Sequence, residues 1–404
     1  MGNGLEFFDV LVYAYFAPVI AKLFFPTHDE AVSYLLTFMT FGLAYVARPL
    51  GSVVLGAYTD KHGRKASLML SLSLMMLGTA MMTLMPTYAA IGILGPVGIA
   101  LSRLLQGFAV GGEVGSSTTF MVEHAPPEKR TFYAAFQYVS QNTAVVTAAL
   151  AGLILTTRLT PHQLDTWGWR TPFAFGLLVG PLGLYLRRNL VETPDFLAIE
   201  PLRSPLLALV TQHWRQLLVL VGIVAMNTAG AYFLNYLPTY AMKALRLPEW
   251  VGYTSTLLAG TLSIVVVLAA SRIADRFGLI RVMTVTAALH TAIIWPVFRY
   301  ITTTPSATRL LIGESIITLV RCIYSAPMMV LFARIFPPHT RGIGISFGYS
   351  LGILAFGGFA PAIFGWLIAI TGSNLAPALY IVGSGVISLV SLYALSRMPS
   401  AASQ

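Results

Sequence analysis

The sequence predicts an all-α membrane protein of twelve transmembrane helices in two pseudo-symmetric six-helix bundles. Three observations carry that expectation. Of 404 residues, 56% are hydrophobic and 10% charged, against about 25% charged in a soluble domain, and the mean hydropathy is +0.75. Apolar stretches of about 20 residues, the length that crosses a hydrocarbon core, recur twelve times along the chain. Two short motifs also recur at nearly one offset, as duplicated halves require.

The first six stretches run over 5–25, 32–58, 66–85, 89–122, 132–155 and 171–186. The second six run over 217–240, 250–274, 282–300, 310–336, 342–370 and 376–396. One longer polar segment divides the chain into an N-terminal bundle (1–186), a cytoplasmic central loop (187–216) and a C-terminal bundle (217–404). The first stretch has neither a basic leader nor a small-residue cleavage site, so no cleavable signal peptide is expected. The chain opens inside that stretch, which leads to the expectation that the true start lies upstream of Met1. In the fourth stretch Gly107, Gly111 and Gly115 form a G-x-x-x-G-x-x-x-G strip suited to close helix packing. The 35 Gly and 23 Pro fit this class, because both are commoner in membrane helices than in soluble ones.

The net charge of +10 would suggest nucleic acid in a soluble chain. Its distribution argues otherwise. With the amino terminus cytoplasmic, fifteen Lys and Arg fall in inner loops, seven in outer loops and three within spans. That positive-inside bias puts both termini in the cytoplasm, and no nucleic-acid partner is expected. Cys322 is the single cysteine, which excludes an intramolecular disulfide, a zinc-cysteine cluster and a Cys-x-x-Cys redox pair.

The internal repeat is carried by two loops. Gly56-x-x-x-Asp60-Lys61-His62-Gly63-Arg64-Lys65 follows the second stretch, and Ser271-x-x-x-Asp275-Arg276-Phe277-Gly278 follows the eighth, 215 residues later. Pro126-Pro127-x-x-Arg130 enters the fifth stretch, and Pro337-Pro338-x-x-Arg341 the eleventh, 211 residues later.

These residues resemble the major facilitator superfamily and, within it, the metabolite:proton symporters. The loop at 56–65 matches the superfamily's signature. Gly2-Asn3-Gly4-Leu5-Glu6-Phe7-Phe8-Asp9 is similar to the symporters' G-N-x-x-E-W-[FY]-D opening, with Phe7 in place of Trp. Further matches are Arg48-Pro49-Leu50-Gly51, Arg103-Leu104-Leu105-Gln106-Gly107, Gly111-Gly112-Glu113, Trp167-Gly168-Trp169-Arg170-Thr171-Pro172-Phe173, and Glu192-Thr193-Pro194-Asp195-Phe196 after Arg187-Arg188. Residues 60–65 and 111–137 look most like bacterial α-ketoglutarate permeases; the first span and Phe356-Gly357-Gly358 look equally like citrate and tricarballylate symporters. The second signature loop departs from the pattern, with Ser271 for the first Gly and Leu279 and Ile280 where basic residues are usual.

Charged residues inside spans are the most informative positions, since each costs about 2.5 to 3.5 kcal/mol at a helix centre and faces a cavity or a partner. There are seven: Glu6, Asp9, Arg48, Arg103, Glu113, Glu314 and Arg321. Asn3, Glu6, Asp9 and Tyr13 share one helix face, as do Arg103 and Gln106. At 1.5 Å per residue, Asp9 lies about 24 Å and Arg103 about 16 Å below their outer helix ends. Similarity to sugar:proton symporters of the superfamily implies that Asp9 pairs with Arg103 and releases it on protonation, with Glu6 and Glu113 as further proton-coupling candidates. Arg48 sits about 18 Å from the cytoplasmic end of its helix, and Arg321 lies in the opposite half on a face with Glu314, Thr318 and Ser325. Guanidinium forks match carboxylates bidentately, so Arg48, Arg103 and Arg321 suit an anion with two or more carboxylates. Gln137 and Gln141 in span five, and Asn227, Tyr232, Asn235 and Tyr236 in span seven, are candidates to read its hydroxyl or keto groups.

The resemblance further implies a cytoplasmic gate at Asp60, Arg64 and Arg130, with Asp275, Arg276 and Arg341 as its second-half counterparts. Asp60 would face the positive end of the eleventh helix, expected to start at Gly342. Enzyme chemistry is not expected: Gly344-Ile345-Ser346-Phe347-Gly348 matches G-x-S-x-G but sits in an apolar helix, where the strand and sharp turn that the motif needs are missing. There is no P-loop and no H-E-x-x-H, so neither ATP nor a metal is expected, and no cofactor. His290 reads as a packed core residue. The expectation is therefore a bacterial inner-membrane monomer whose partners are lipid, protons and a small organic acid, α-ketoglutarate-like or citrate-like, taken up by alternating access. A shikimate or proline/betaine symporter, a transporter-like sensor that does not translocate, and an exporter are the alternatives.

Overall fold

The computed structural model describes residues 2–112, 121, 125–126, 129–188 and 205–398. Among them the backbone is helical at every one of the twelve expected places and forms no strand. Ten helices are long and apolar enough to cross a membrane, and a bent pair at the amino end makes eleven. The sixth place is filled by an 18-residue helix.

The first half comprises α1 (Gly2–Tyr15), α2 (Ala17–Phe24), α3 (Glu30–His62), α4 (Arg64–Leu84), α5 (Tyr88–Ile91), α6 (Leu94–Gly111), α7 (Arg130–Arg158), α8 (Pro161–Thr166) and α9 (Thr171–Arg188). The pair α1 and α2 bends by 69°. Pro18 stands in the first turn of α2 and has no N–H to return to the turn before it. Asp29 caps α3, its side chain accepting a 2.8 Å bond from the Ala31 N–H, so that helix starts ahead of the apolar stretch. The expected fourth span, 89–122, is corrected at its start. Gly92 takes a φ of +62° and cuts off α5 as a single turn, so the long helix begins at Leu94. Its expected end, with Glu113 and Gly115, lies outside the described residues.

The second half comprises α10 (Pro205–Gln212), α11 (Trp214–Thr239), α12 (Glu249–Phe277), α13 (Leu279–Thr303), α14 (Ala307–Ser325), α15 (Met328–Ile335), α16 (Pro338–Ile353), α17 (Ala360–Thr371) and α18 (Ala376–Ser396). Helix α10 falls inside the expected central loop at 187–216, where it packs against α16 and buries Leu209. The eleventh helix starts at Pro338, four residues before the expected Gly342. A π-helical turn, Tyr240–Ala244, extends α11, and another, Leu354–Gly358, joins α16 to α17. Such turns are widened insertions that recur at functional sites.

Repetition is visible in the backbone. Gly63 joins α3 to α4 with φ +87°, and Gly278 joins α12 to α13 with φ +90°; both take a left-handed conformation that only glycine adopts cheaply. Within the first half α6 lies so close to α3 that a Cβ on Gly107 would stand 1.7 Å from the Ala44 carbonyl oxygen. Without water to drive association, such backbone contact supplies the packing energy in a membrane. The halves meet along α7 with α12, α3 with α16, and α1 with α11. Large apolar side chains such as Leu178, Val265 and Val390 point outward and stay exposed, a surface that suits lipid.

Candidate functional site

Two arginines of the first half are buried against aromatic rings. Arg48, at 2% exposure, holds its guanidinium 4.7 Å from the ring of Tyr45, one turn earlier on α3, and 5.8 Å from Phe7 on α1. Arg103, fully buried on α6, stands 4.8 Å from Tyr13 and 5.3 Å from Phe41. Arg48 Nε and Arg103 Nε and Nη2 have no hydrogen-bond partner. Among the described side chains, which do not include that of Glu6, no carboxylate lies within 4.0 Å of either guanidinium, the ion pairs there being Lys22–Asp165 and Lys243–Glu30. Cation–π contact supplies roughly 2 kcal/mol when desolvated, well short of the several kcal/mol per ion that burial costs. An anion of matching shape would close that gap.

The second half contributes Arg321. Its Nη1 donates to Asn227 at 3.3 Å and its Nη2 to Ser263 at 3.5 Å, both at the long end of the range. Gly230 makes room for it, since a Cβ there would lie 2.8 Å from Arg321 Cδ. Tyrosines join the two halves. Tyr45 and Phe41 of α3 meet Tyr232 of α11 with centroids 5.2 and 6.1 Å apart. Tyr349 of α16 lies within electrostatic reach of both Arg48 and Arg321, and Tyr138 of α7 within reach of Arg321, its hydroxyl buried without a partner.

Asp9 is 5% exposed. The direct ion pair with Arg103 expected from the resemblance is absent, and a relay stands in its place. Arg103 Nη1 donates to Gln106 Oε1 at 2.8 Å, Gln106 Nε2 to Thr79 Oγ1 at 3.1 Å, and Thr79 Oγ1 to Asp9 Oδ2. The physical reason is the position of α4: Thr79 projects between α1 and α6 and takes the carboxylate first. Asp9 Oδ1 has no partner. It faces a recess lined by Leu72, Met75, Met76, Gly176, Leu177 and Gly180, and a Cβ on Gly176 would stand 2.3 Å from it. Asp9 and Asn227 are 218 residues apart, as are Arg103 and Arg321. The second half thus repeats the first-half arrangement with a neutral amide in place of the acid.

The other expected residues divide. Gln137 and Gln141 are buried on one face of α7, Gln141 Nε2 without a partner. Asn235 is buried on α11. Tyr236 stands in an aromatic group with Phe38, Phe364 and Tyr240. Glu6 lies on α1, but its side chain, like those of Asp60 and Arg64, lies outside the described residues, as does Glu113 altogether. Arg130 opens α7 with Nε buried and unpartnered, and Arg341 lies on α16. Asp275 and Arg276 are exposed and form no ion pair among the described residues. A contact that crosses the halves at that end is Arg272 of α12, 5.4 Å from the Phe132 ring of α7. Thr79, Tyr45, Tyr138 and Tyr349 were not singled out by the sequence. Tyr45 carried a signal in standing one turn before Arg48; the others become visible only once helices are side by side.

Comparison with known proteins follows the same lines. The sequence profile of the Major Facilitator Superfamily matches residues 3–318. A citrate-proton symporter of Salmonella typhi is 35% identical over 391 residues, 96% of this chain and 90% of that protein. A citrate-proton symporter of Klebsiella pneumoniae is 34% identical, over 100% of this chain and 91% of its own. A protein of Staphylococcus aureus provisionally named a proline/betaine transporter is 32% identical, over 96% of this chain and 85% of that one. Among solved structures, a D-xylose-proton symporter superposes with a TM-score of 0.74 at 17% identity, covering 100% of this chain and 97% of the other. The E. coli xylose:proton symporter bound to a bromodeoxyglucose gives 0.78, covering 98% and 93%.

Proposed function

The chain belongs to the major facilitator superfamily, and from that premise we propose that it imports a citrate-like tricarboxylate together with protons by alternating access. Membership makes it a multi-pass membrane transporter rather than an enzyme. The observation that carries the substrate class is the set of three buried guanidiniums, Arg48, Arg103 and Arg321, drawn from both halves and lacking carboxylate partners among the described side chains. Three carboxylates of one small anion match three such forks. The citrate-proton symporters named above move citrate ahead of the α-ketoglutarate-like dicarboxylates, which stand second. Proline or betaine is favoured less. A quaternary ammonium wants an aromatic cage, and here the rings of Tyr13, Phe41 and Tyr45 already face guanidiniums.

Asp9 carries the coupling proton. Its relay to Arg103 gives the ionised carboxylate a hydroxyl donor and a distant cation; protonation removes the charge that the relay serves and frees Gln106 and Arg103 to turn to the anion. Glu6 and Glu113 remain candidates for the same work. Gln137, Gln141 and Asn235 supply neutral hydrogen bonds to the bound acid. The units 1–186 and 217–404 act as rocking bundles joined by 187–216, both termini lie in the cytoplasm of a bacterial inner membrane, and one chain suffices. Asp60, Arg64, Arg130 and Arg341 form the cytoplasmic gate, with Asp275 and Arg276 as their repeat.

Proteoliposomes containing the purified chain test this. Labelled citrate should accumulate when the outside is acid, stop accumulating with a protonophore, and exchange in counterflow. Binding without counterflow would make the protein a sensor, and accumulation of betaine but not citrate would move it to the zwitterion branch.

A further inference from the structure

The second half carries a buried acid with no role so far. Glu314 on α14 is 2% exposed. Its Oε1 accepts a 2.9 Å bond from Thr318 Oγ1, and its Oε2 is buried with no partner. The surroundings repeat those of Asp9: one carboxylate oxygen on a threonine hydroxyl, the other unsatisfied, and an arginine beyond 4.0 Å but within electrostatic reach. Because Asn227 occupies the place of Asp9, Arg321 has no acid at its symmetry-related position; Glu314, two turns away on its own helix, is the acid nearest to that role.

The helices packed on α14 are α11, α12, α13 and α15. Helix α11 faces this cluster with Asn227 and α12 with Ser263, both on Arg321. From α13 comes His290, fully buried, both ring nitrogens unpartnered and within reach of the Arg321 charge. The remaining charged residues of these helices stand at their ends: Arg215, Arg272, Asp275, Arg276, Arg281, Arg299 and Arg334 are exposed, and Glu249 at the start of α12 and Arg309 at the start of α14 are half-buried. Arg321 is therefore the charged group whose field reaches Glu314. At 1.5 Å per residue Glu314 lies about 10 Å and Arg321 about 21 Å from the Ala307 end of α14, so a proton entering from that end meets the acid first.

We propose that Glu314 is a second proton-binding site of the transport cycle, so that at least two protons accompany each substrate anion. An anion bound at Arg321 offsets the positive field that favours a charged carboxylate at Glu314, and the carboxylate then takes a proton from one side of the membrane; when the anion leaves on the other side, the field returns and the proton is released there. The proposal rests on the proton-coupled reading above.

Infrared pH titration of the purified full chain needs no substrate. Two buried carboxyl signals should titrate, one lost in Asp9→Asn and the other in Glu314→Gln. A difference spectrum that Glu314→Gln leaves unchanged overturns the proposal even if citrate is not the substrate. In proteoliposomes, protons counted per labelled citrate at the flux-reversal point should fall by one in Glu314→Gln. If net uptake is lost, citrate exchange should persist with a flattened pH dependence and Glu314→Asp should restore coupling. A wild-type proton count, or exchange with wild-type pH dependence, overturns the proposal. Absence of citrate transport by the wild type would instead refute the function, leaving the infrared result to decide on Glu314.

Discussion

Asp9 and Arg103 are connected through Thr79 and Gln106 and do not touch. A proton arriving at Asp9 would therefore reach Arg103 through two neutral side chains: the Thr79 hydroxyl can turn from donor to acceptor, whereas Gln106 Oε1 can only accept from the guanidinium. Thr79→Val keeps the shape and removes the hydroxyl. The donor that favours the charged carboxylate is then gone, so the pH of half-maximal uptake should move upward, by roughly one unit if the lost bond is worth about 1.4 kcal/mol. Uptake measured between mildly acid and alkaline pH checks this; an unmoved profile would remove Thr79 from the coupling path.

Gly176 sets the space beside Asp9, since a Cβ there would reach to 2.3 Å from Oδ1. Gly176→Ala should push the carboxylate off Thr79 and impair accumulation against a gradient. On the proposed arginine site, citrate affinity should stay within about twofold. Equal loss of both would mean that the substitution disturbs the bundle rather than the acid.

Where α7 begins and α12 ends, Arg272 lies over Phe132 across the halves. Phe132→Ala removes about 0.5 to 1 kcal/mol, a two- to fivefold change in the balance of open and closed states. Spin-label distances across that end should lengthen in population. The single native cysteine, Cys322, is buried, so labels report from engineered positions.

At the opposite end Lys243 and Glu30 pair across the halves at 2.5 Å. Both are partly exposed, so the pair is worth at most about 1 kcal/mol. Glu30→Gln should shift the same distance distributions the other way from Phe132→Ala, and high salt should mimic it in the wild type. A shift in the same direction for both variants would contradict a two-ended clasp.

Much of the fold was legible because apolar length is a property of composition. The α1–α2 bend lies beside Pro18, and the shared left-handed turns of Gly63 and Gly278 lie within the repeated loop motif. Helix α10 was not legible, because eight residues inside a polar segment have no periodicity to separate them from a loop until Leu209 finds α16. The arginines stood out because charge inside an apolar stretch is costly. Their surroundings stood out less: Gln106 shares a helix face with Arg103, but Thr79 is an ordinary helix residue until α4 and α6 lie side by side, and Tyr349 comes near Arg48 only when α16 crosses α3. The expected acid-to-arginine pair failed for the same reason, since a third helix intervened.

Isothermal titration of citrate into the purified chain tests the arginine site most directly. The wild type should bind, and Arg48→Gln, Arg103→Gln and Arg321→Gln should each weaken binding by about ten- to a hundredfold, as loss of a charge-assisted fork worth roughly 1.5 to 3 kcal/mol requires, with helix content unchanged. Citrate affinity that survives all three substitutions would contradict the site.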